Sequence, residues 1–386
     1  MTDDALFPEP LRPDPVAPTR LAEPAHAPER PLYAGHPALS AQVEKLAHIE
    51  RVAQVCRDTR IGAVLTVGSR NSNPAEAVRE LTAMFRAVTG DTTNVLVDAN
   101  RYSGRNRIVG AYSFDSQFVR AQLDAGAAFG LAPSPYIPNG DHAGLKSVLS
   151  QTAQMKMPAV APLPLGNGWF TSMREAKFLR ETASKFGVPI APIIEHRGDP
   201  FGNLKILRGA LEVVTADVPV LQLRGDLSVL GLVAHGGAGG AIGTTTALRH
   251  LYPTPTDDED GGGWRPARVG VWVPRLLGFH AVDTLGDVAQ FDEVANYLLC
   301  DYSCCNGQGV ERITNEVEAF DHSLRAIAQF SEPFFAAGTS LDSLCAAWHA
   351  RCGSAEFGYI DIQETTAAPL TMPAFIGKWV GAHPKS

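Results

Sequence analysis

The stretch PAVAPLPLGNGWFTSMREAKFLRETASKFGVPIAPII, residues 158–194, reads as strand, helix and strand. Its ends, PAVAPLP and VPIAPII, are short runs that are apolar throughout, as strands of a parallel sheet covered on both faces must be. Between them, TSMREAKFLRETASKFG carries Ser172 as an N-cap, Glu175 three residues on, and Gly187 as the stop. Parallel strands need such a crossover helix, because no tight turn can join them.

Working outward, the same unit repeats about every thirty residues. The candidate strands are IGAVLTV from Ile61, NVLVD from Asn94, AAFGLA from Ala127, PAVAPLP from Pro158, VPIAPII from Val188, VPVLQLR from Val218, GAIGT from Gly240 and VGVWVP from Val269. A helix with Pro74 near its start and Val78, Leu81, Met84 and Phe85 on one face follows the first. Eight strand–helix units predict an α/β fold of the (β/α)8 TIM-barrel class. Val43, Leu46, Ile49, Val52 and Val55 stand at helical spacing, so a helix starting near Ser40 is expected to precede the first strand. Residues 1–39 hold nine prolines up to Pro37 and no periodicity, and read as a disordered Pro-rich arm. The expected division is therefore arm 1–39, barrel core 40–283, and a Cys-rich, helical C-terminal region 284–386 that binds zinc and completes the barrel.

The 386 residues, 45% hydrophobic and 19% charged, suffice for a real core and exclude disorder of the whole chain. No apolar run approaches the roughly eighteen residues of a membrane span, and MTDDALFPEP lacks the pattern of a secretory signal. A cytoplasmic protein without membrane contact is expected. Thirty-three basic against 41 acidic residues give a net charge of -8. Such a field repels polyanions, so nucleic-acid binding has little support unless a local basic patch exists.

In a barrel, chemistry gathers on the loops after the strand C-termini. There the sequence places Arg70; Asp98 and Tyr102; Tyr136; Asn167; Glu195 and His196; Arg224 and Asp226; and Gly243, Thr244 and Thr245. Each alone is commonly a cap or a surface residue. Together, Asp98, Glu195, His196 and Asp226 are catalytic candidates, because carboxylates and guanidiniums on one mouth tune each other's protonation. Arg70, Tyr102, Tyr136, Asn167 and Arg224 are substrate-binding candidates. Gly243-Thr244-Thr245 offers backbone N–H and hydroxyl groups to a phosphate, although the glycines around it also serve a tight chain path.

Six cysteines are too few for a disulfide scaffold but are clustered, which in a reducing compartment points to metal. Cys300, Cys304 and Cys305 share a loop, and His322 follows on a helix, a set able to close a tetrahedral zinc site. Small buried thiols in a turn are the competing explanation. Cys345, His349 and Cys352, spaced i, i+4 and i+7, share one helix face and form a second candidate or a packed stripe.

A barrel followed by Cys-x-Cys-x-x-Cys and a downstream His resembles the tRNA-guanine transglycosylase family. Cys300 and Cys305 match the first and third positions and His322 the fourth ligand; Tyr302 stands at the middle position, and Cys304 is supplied instead. Asp98-Ala99-Asn100-Arg101-Tyr102 is similar to the family's Asp-Ser-Gly-Gly-Phe at Asp98 and the aromatic, with both glycines missing. The resemblance implies exchange of a nucleobase through a carboxylate nucleophile, with structural zinc and Asp98 as acid/base; Asp226 is the candidate nucleophile by its position after the sixth candidate strand, not by a motif. Two other functions fit the same residues. One is a barrel enzyme of another class binding a phosphorylated substrate or flavin at the Gly/Thr loop. The other is a non-catalytic barrel acting as partner subunit or scaffold, as a homo-oligomer or through its N-terminal arm.

Overall fold

The computed structural model describes residues 32, 37–68, 71, 73–254, 269–335, 340–366 and 370–382. Nearly all of the expected Pro-rich arm lies outside them. Eight strands run parallel: β1 (Leu39–Val43), β2 (Gly62–Thr66), β3 (Val95–Asp98), β4 (Gly130–Leu131), β5 (Ala159–Leu165), β6 (Ile190–Ile194), β7 (Leu221–Gly225) and β8 (Gly239–Gly243). Five form a curved half-barrel in the order β3-β2-β1-β8-β7, and three form a second arc, β4-β5-β6. One backbone bond, Ala128 N–H to Thr93 C=O, joins the segments leading into β3 and β4 at 3.1 Å. On the other side a parallel bridge, Ile190 to Val220, joins β6 to β7.

The helices packed around these strands are α1 (Leu46–Asp58), α2 (Pro74–Thr89), α3 (Gln117–Asp124), α4 (His142–Gln154), α5 (Gly168–Thr171), α6 (Met173–Phe186), α7 (Leu204–Val213) and α8 (Ser228–Ala234). Their ends obey the expected chemistry. The Ser172 hydroxyl accepts the Glu175 N–H to open α6, and Gly187, at φ 66°, closes it in the left-handed region. Beyond β8 come β9 (Gly270–Val273), β10 (Gly278–Ala281), α9 (Val282–Val288), α10 (Asp292–Ala295), α11 (Glu316–Ser331), α12 (Leu341–Thr365) and α13 (Ala374–Ala382).

Two expectations are corrected. The chain enters the sheet at Leu39, not near Ile61: residues 39–43, expected within or before a helix, form β1, and the helix starts only at Leu46. In β1, Leu39, Ala41 and Val43 pack outward into the helix layer, while Ser40 and Gln42 point inward, so the strand lacks the apolar run that marks the others. The run from Val269 is not a barrel strand. It pairs antiparallel with β10 and lies under α11, where Trp272 is fully buried. The strand containing Gly240 is thus the eighth, and the loop carrying Asp226 follows the seventh.

The core has two shells. The outer shell joins the helices to outward strand residues such as Ala63, Leu65, Val95, Val97 and Ile190. The inner one holds Val64, Leu96, Val160, Ala191, Ile193, Leu221 and Leu223, and is continued by Tyr102, Tyr136, Leu251 and Leu32. No helix among the described residues is long and apolar enough to cross a membrane.

Candidate functional site

Alternation along the strands determines what faces the interior at their C-terminal ends. Val64 points inward, so Thr66 does; Leu96 does, so Asp98 does; Ala191 and Ile193 do, so Glu195 continues the row. Gln42 extends the inward row of β1. These polar groups close the top of an otherwise apolar interior.

Around Asp98 they form a fully buried network. The Tyr102 hydroxyl donates to Asp98 Oδ2 at 2.5 Å, and the Gln42 amide donates to the same oxygen at 3.3 Å. The Asn100 N–H donates to Asp98 Oδ1 at 2.9 Å. Gln42 also bonds Thr66 and accepts the Arg224 N–H, at 3.0 and 2.8 Å. Simple alternation would turn Arg224 outward, since Leu221 and Leu223 face in. A register irregularity between Gln222 and Gly225 and a left-handed Arg224, φ 46°, bring it inside instead. There its guanidinium donates to Asn100 Oδ1 at 2.6 Å, stands 3.9 Å from Asp98 Oδ2, and lies over the Tyr102 ring. Asn100 is left-handed too, φ 51°, so two strained non-glycine residues hold each other. Burial pushes the Tyr102 hydroxyl well above its ordinary range, which keeps it a proton donor to Asp98.

A second polar group surrounds Glu195. Its Oε1 meets Arg107 Nη1 and its Oε2 accepts from the Tyr136 hydroxyl, both at 2.5 Å, while the Arg107 guanidinium stacks 3.7 Å above the Tyr136 ring. Burial, then the neighbouring carboxylate, raises the Tyr136 hydroxyl. His196 is half-buried and its Nδ1 contacts the Gly198 backbone. Beside it His250 is buried with no hydrogen-bond partner at Nε2, and burial followed by His196, Arg249 and Arg224 pushes it down to about 4. It is a neutral imidazole near pH 7.

Asp226 has other neighbours. Its Oδ1 accepts the Ser228 N–H at 2.9 Å, and its charge is felt by Asp199 and Arg249. Burial raises Asp226, and burial together with Asp226 pushes Asp199 up to about 8. Among the described residues, no hydrogen bond or ion pair links Asp226 to Asp98 or Glu195. Asn167 is exposed at the start of α5, and Arg70 lies outside the described residues. At the Gly/Thr loop, both the N–H and the hydroxyl of Thr244 donate to the Gln42 carbonyl, at 2.9 Å each. A side chain at Gly243 would lie 2.3 Å from the Leu248 backbone. The glycine and first threonine make these contacts within the chain, and Gly243, Thr244, Thr245 and Thr246, with Arg249 and Lys45, line a cavity of about 440 Å³ between β1, β8 and α11.

The thiol cluster comes together as its spacing predicts. Ligand atoms of Cys300, Cys304, Cys305 and His322 all lie within 4.8 Å of one another. Cys300 and Cys304 sulfurs are 3.8 Å apart, and His322 Nδ1 is 3.6 Å from Cys304 and 3.1 Å from Cys305. A tetrahedral ion with bonds of about 2.3 Å to sulfur would space sulfurs about 3.8 Å apart. The other ring nitrogen, Nε2, is 2.9 Å from the Trp272 carbonyl, which fixes the proton there and leaves Nδ1 as a lone pair facing the thiols. The second cysteine candidate changes membership: Cys345 and His349 are joined by His235, while Cys352 is buried elsewhere on α12. Gln42, Asn100, Arg107, His235 and His250 are the participants that spacing alone did not single out for these roles.

No family model matches the chain, and no curated protein matches it either. Among solved structures it is similar to the YdjI aldolase from Escherichia coli K12, at 10% identity over 79% of this chain and 93% of that one, TM-score 0.35. It is similar to dihydrodipicolinate synthase from Rhodopseudomonas palustris, at 14% identity over 55% and 72% of the two chains, TM-score 0.35. A type I 3-dehydroquinate dehydratase from Clostridium difficile gives 12% identity over 56% and 88%, TM-score 0.36.

Proposed function

We propose that the chain is a (β/α)8-barrel enzyme that performs acid–base chemistry on a small polar substrate at its C-terminal mouth, with a structural zinc ion outside the barrel. Closure of the two arcs into one eight-stranded barrel is supported by the Ala128–Thr93 bond and the Ile190–Val220 bridge. The observation that carries the functional reading is the Asp98–Tyr102–Asn100–Arg224 network. It buries a carboxylate and a guanidinium at the strand ends and holds Asn100 and Arg224 left-handed beside them, a constellation of buried charge that marks candidate functional sites. In this reading Asp98 is the fixed carboxylate. Glu195, partly open to solvent and oriented by Arg107 and Tyr136, exchanges protons with substrate.

The nucleobase-exchange form of this activity keeps Asp98 at the mouth but finds little support for Asp226 as nucleophile, because among the described residues Asp226 bonds the Ser228 N–H and is linked to neither Asp98 nor Glu195. The phosphate-binding form is supported by the cavity that Gly243, Thr244, Thr245, Thr246 and Arg249 line. Zinc fits Cys300, Cys304, Cys305 and His322 by donor type, spacing and ring orientation. Four protein ligands close the shell and leave no position for substrate, so its contribution is folding free energy.

The test is a thermal-shift panel of nucleobases, nucleosides, sugar phosphates and small carboxylic acids on the zinc-loaded protein. A compound of one class should raise the melting temperature of the wild type and lose that effect in Glu195→Gln. If no compound shifts the wild type, or Glu195→Gln responds identically, the mouth is not the binding site.

A further inference from the structure

We propose that His235, Cys345 and His349 form a second metal site, taking a divalent ion of the zinc class with water as its fourth ligand. His235 follows α8 directly, and Cys345 and His349 lie one turn apart on α12, so the site spans two helices that the chain separates by more than a hundred residues. One nitrogen or sulfur atom from each residue falls within 4.8 Å of the other two. Cys345 Sγ and His235 Nε2 are 3.2 Å apart. Around one tetrahedral ion, with bonds of about 2.0–2.3 Å, ligand edges are about 3.3–3.8 Å, close to the Cys345–His235 separation.

The His235 ring is oriented as in a metal site. Its Nδ1 lies 2.7 Å from the Gly231 carbonyl, which places the proton there and directs the Nε2 lone pair at Cys345. His349 meets His235 nearly edge-on, with ring planes at 80° and centroids 5.6 Å apart. Trp379 of α13 packs against both imidazoles and walls off one side. His235 and Cys345 are only partly buried, so solvent can supply the fourth ligand. The donor set, one thiolate and two imidazoles, suits zinc and its neighbours over calcium or magnesium. The site stands at the N-terminal end of β8, opposite the mouth, where an ion clamps the C-terminal helices to the barrel and does not meet the proposed substrate.

Zinc content and Co²⁺ titration of the full chain test this. Two equivalents are expected, one giving the absorption of three thiolates and the other that of a single thiolate. Cys345→Ser and His349→Ala should each remove the single-thiolate spectrum and one equivalent. Cys305→Ser should remove the other, so failure of the first zinc site and failure of this one read differently. Wild-type Cys345 should also be alkylated at least about tenfold more slowly with zinc bound, a readout that needs no variant. A single equivalent unaffected by Cys345→Ser and His349→Ala, or equal alkylation with and without zinc, overturns the proposal.

Discussion

The buried Tyr102 hydroxyl donates to Asp98. Tyr102→Phe removes the donor and leaves the ring, and is expected to cost about 1–3 kcal/mol in urea unfolding. Asp199 offers a test of sign. Its carboxyl is pushed from an ordinary 3.8 up to about 8, by burial first and the Asp226 charge second. The folded state therefore holds a proton that the unfolded state gives up. Stability from this group is complete below about pH 4, declines as pH rises, and is lost once pH passes about 8. Asp199→Asn should flatten that decline and make the variant more stable than wild type at pH 9, measured as unfolding free energy at pH 5, 7 and 9. An unchanged profile would show that the pair is ionised in the fold. Of the residues discussed, Asp98 and Glu195 were legible because they extend inward-facing strand rows. Arg224 was legible only as a polar strand end, since its inward aim depends on a backbone irregularity that no residue type announces. Arg107 and His235 act through contacts made across the chain, and their local sequence carries no trace of them.

The elements with strong local chemistry match their sequence. α6 begins after Ser172 and stops at Gly187, because cap and stop satisfy backbone groups within a few residues. β1 was hidden for the opposite reason: a five-residue strand with Ser40 and Gln42 turned inward runs straight into the periodic pattern of α1. β9 misled because its apolar residues are buried under α11 and not in the sheet, and burial is all that such a run reveals. Packing between elements makes its own prediction. Gly209 on α7 faces α5 so closely that a β-carbon would stand 2.1 Å from the Phe170 carbonyl oxygen. Gly209→Ala must push the helices apart and is expected to cost about 1–3 kcal/mol, despite the better helix propensity of alanine. Calorimetry showing a neutral or stabilised variant would refute that packing.

At the scale of the whole molecule, the thiol cluster fastens the loop before α11 to the same helix that covers β9, through His322 and the Trp272 carbonyl. Chelation of zinc should therefore lower the melting temperature, and added zinc should restore it; an identical melting curve in chelator would remove the structural role. The mouth is assembled from β1, β2, β3, β6 and β7 and the loops after them, and it is this convergence that gives the enzyme reading its weight. The most direct test is turnover of the compound identified by thermal shift, compared among zinc-loaded wild type, Asp98→Asn and Glu195→Gln. If the mouth carries out acid–base chemistry, both variants fold and their kcat/KM falls by about 10²–10⁴. Wild-type turnover retained by both would contradict it.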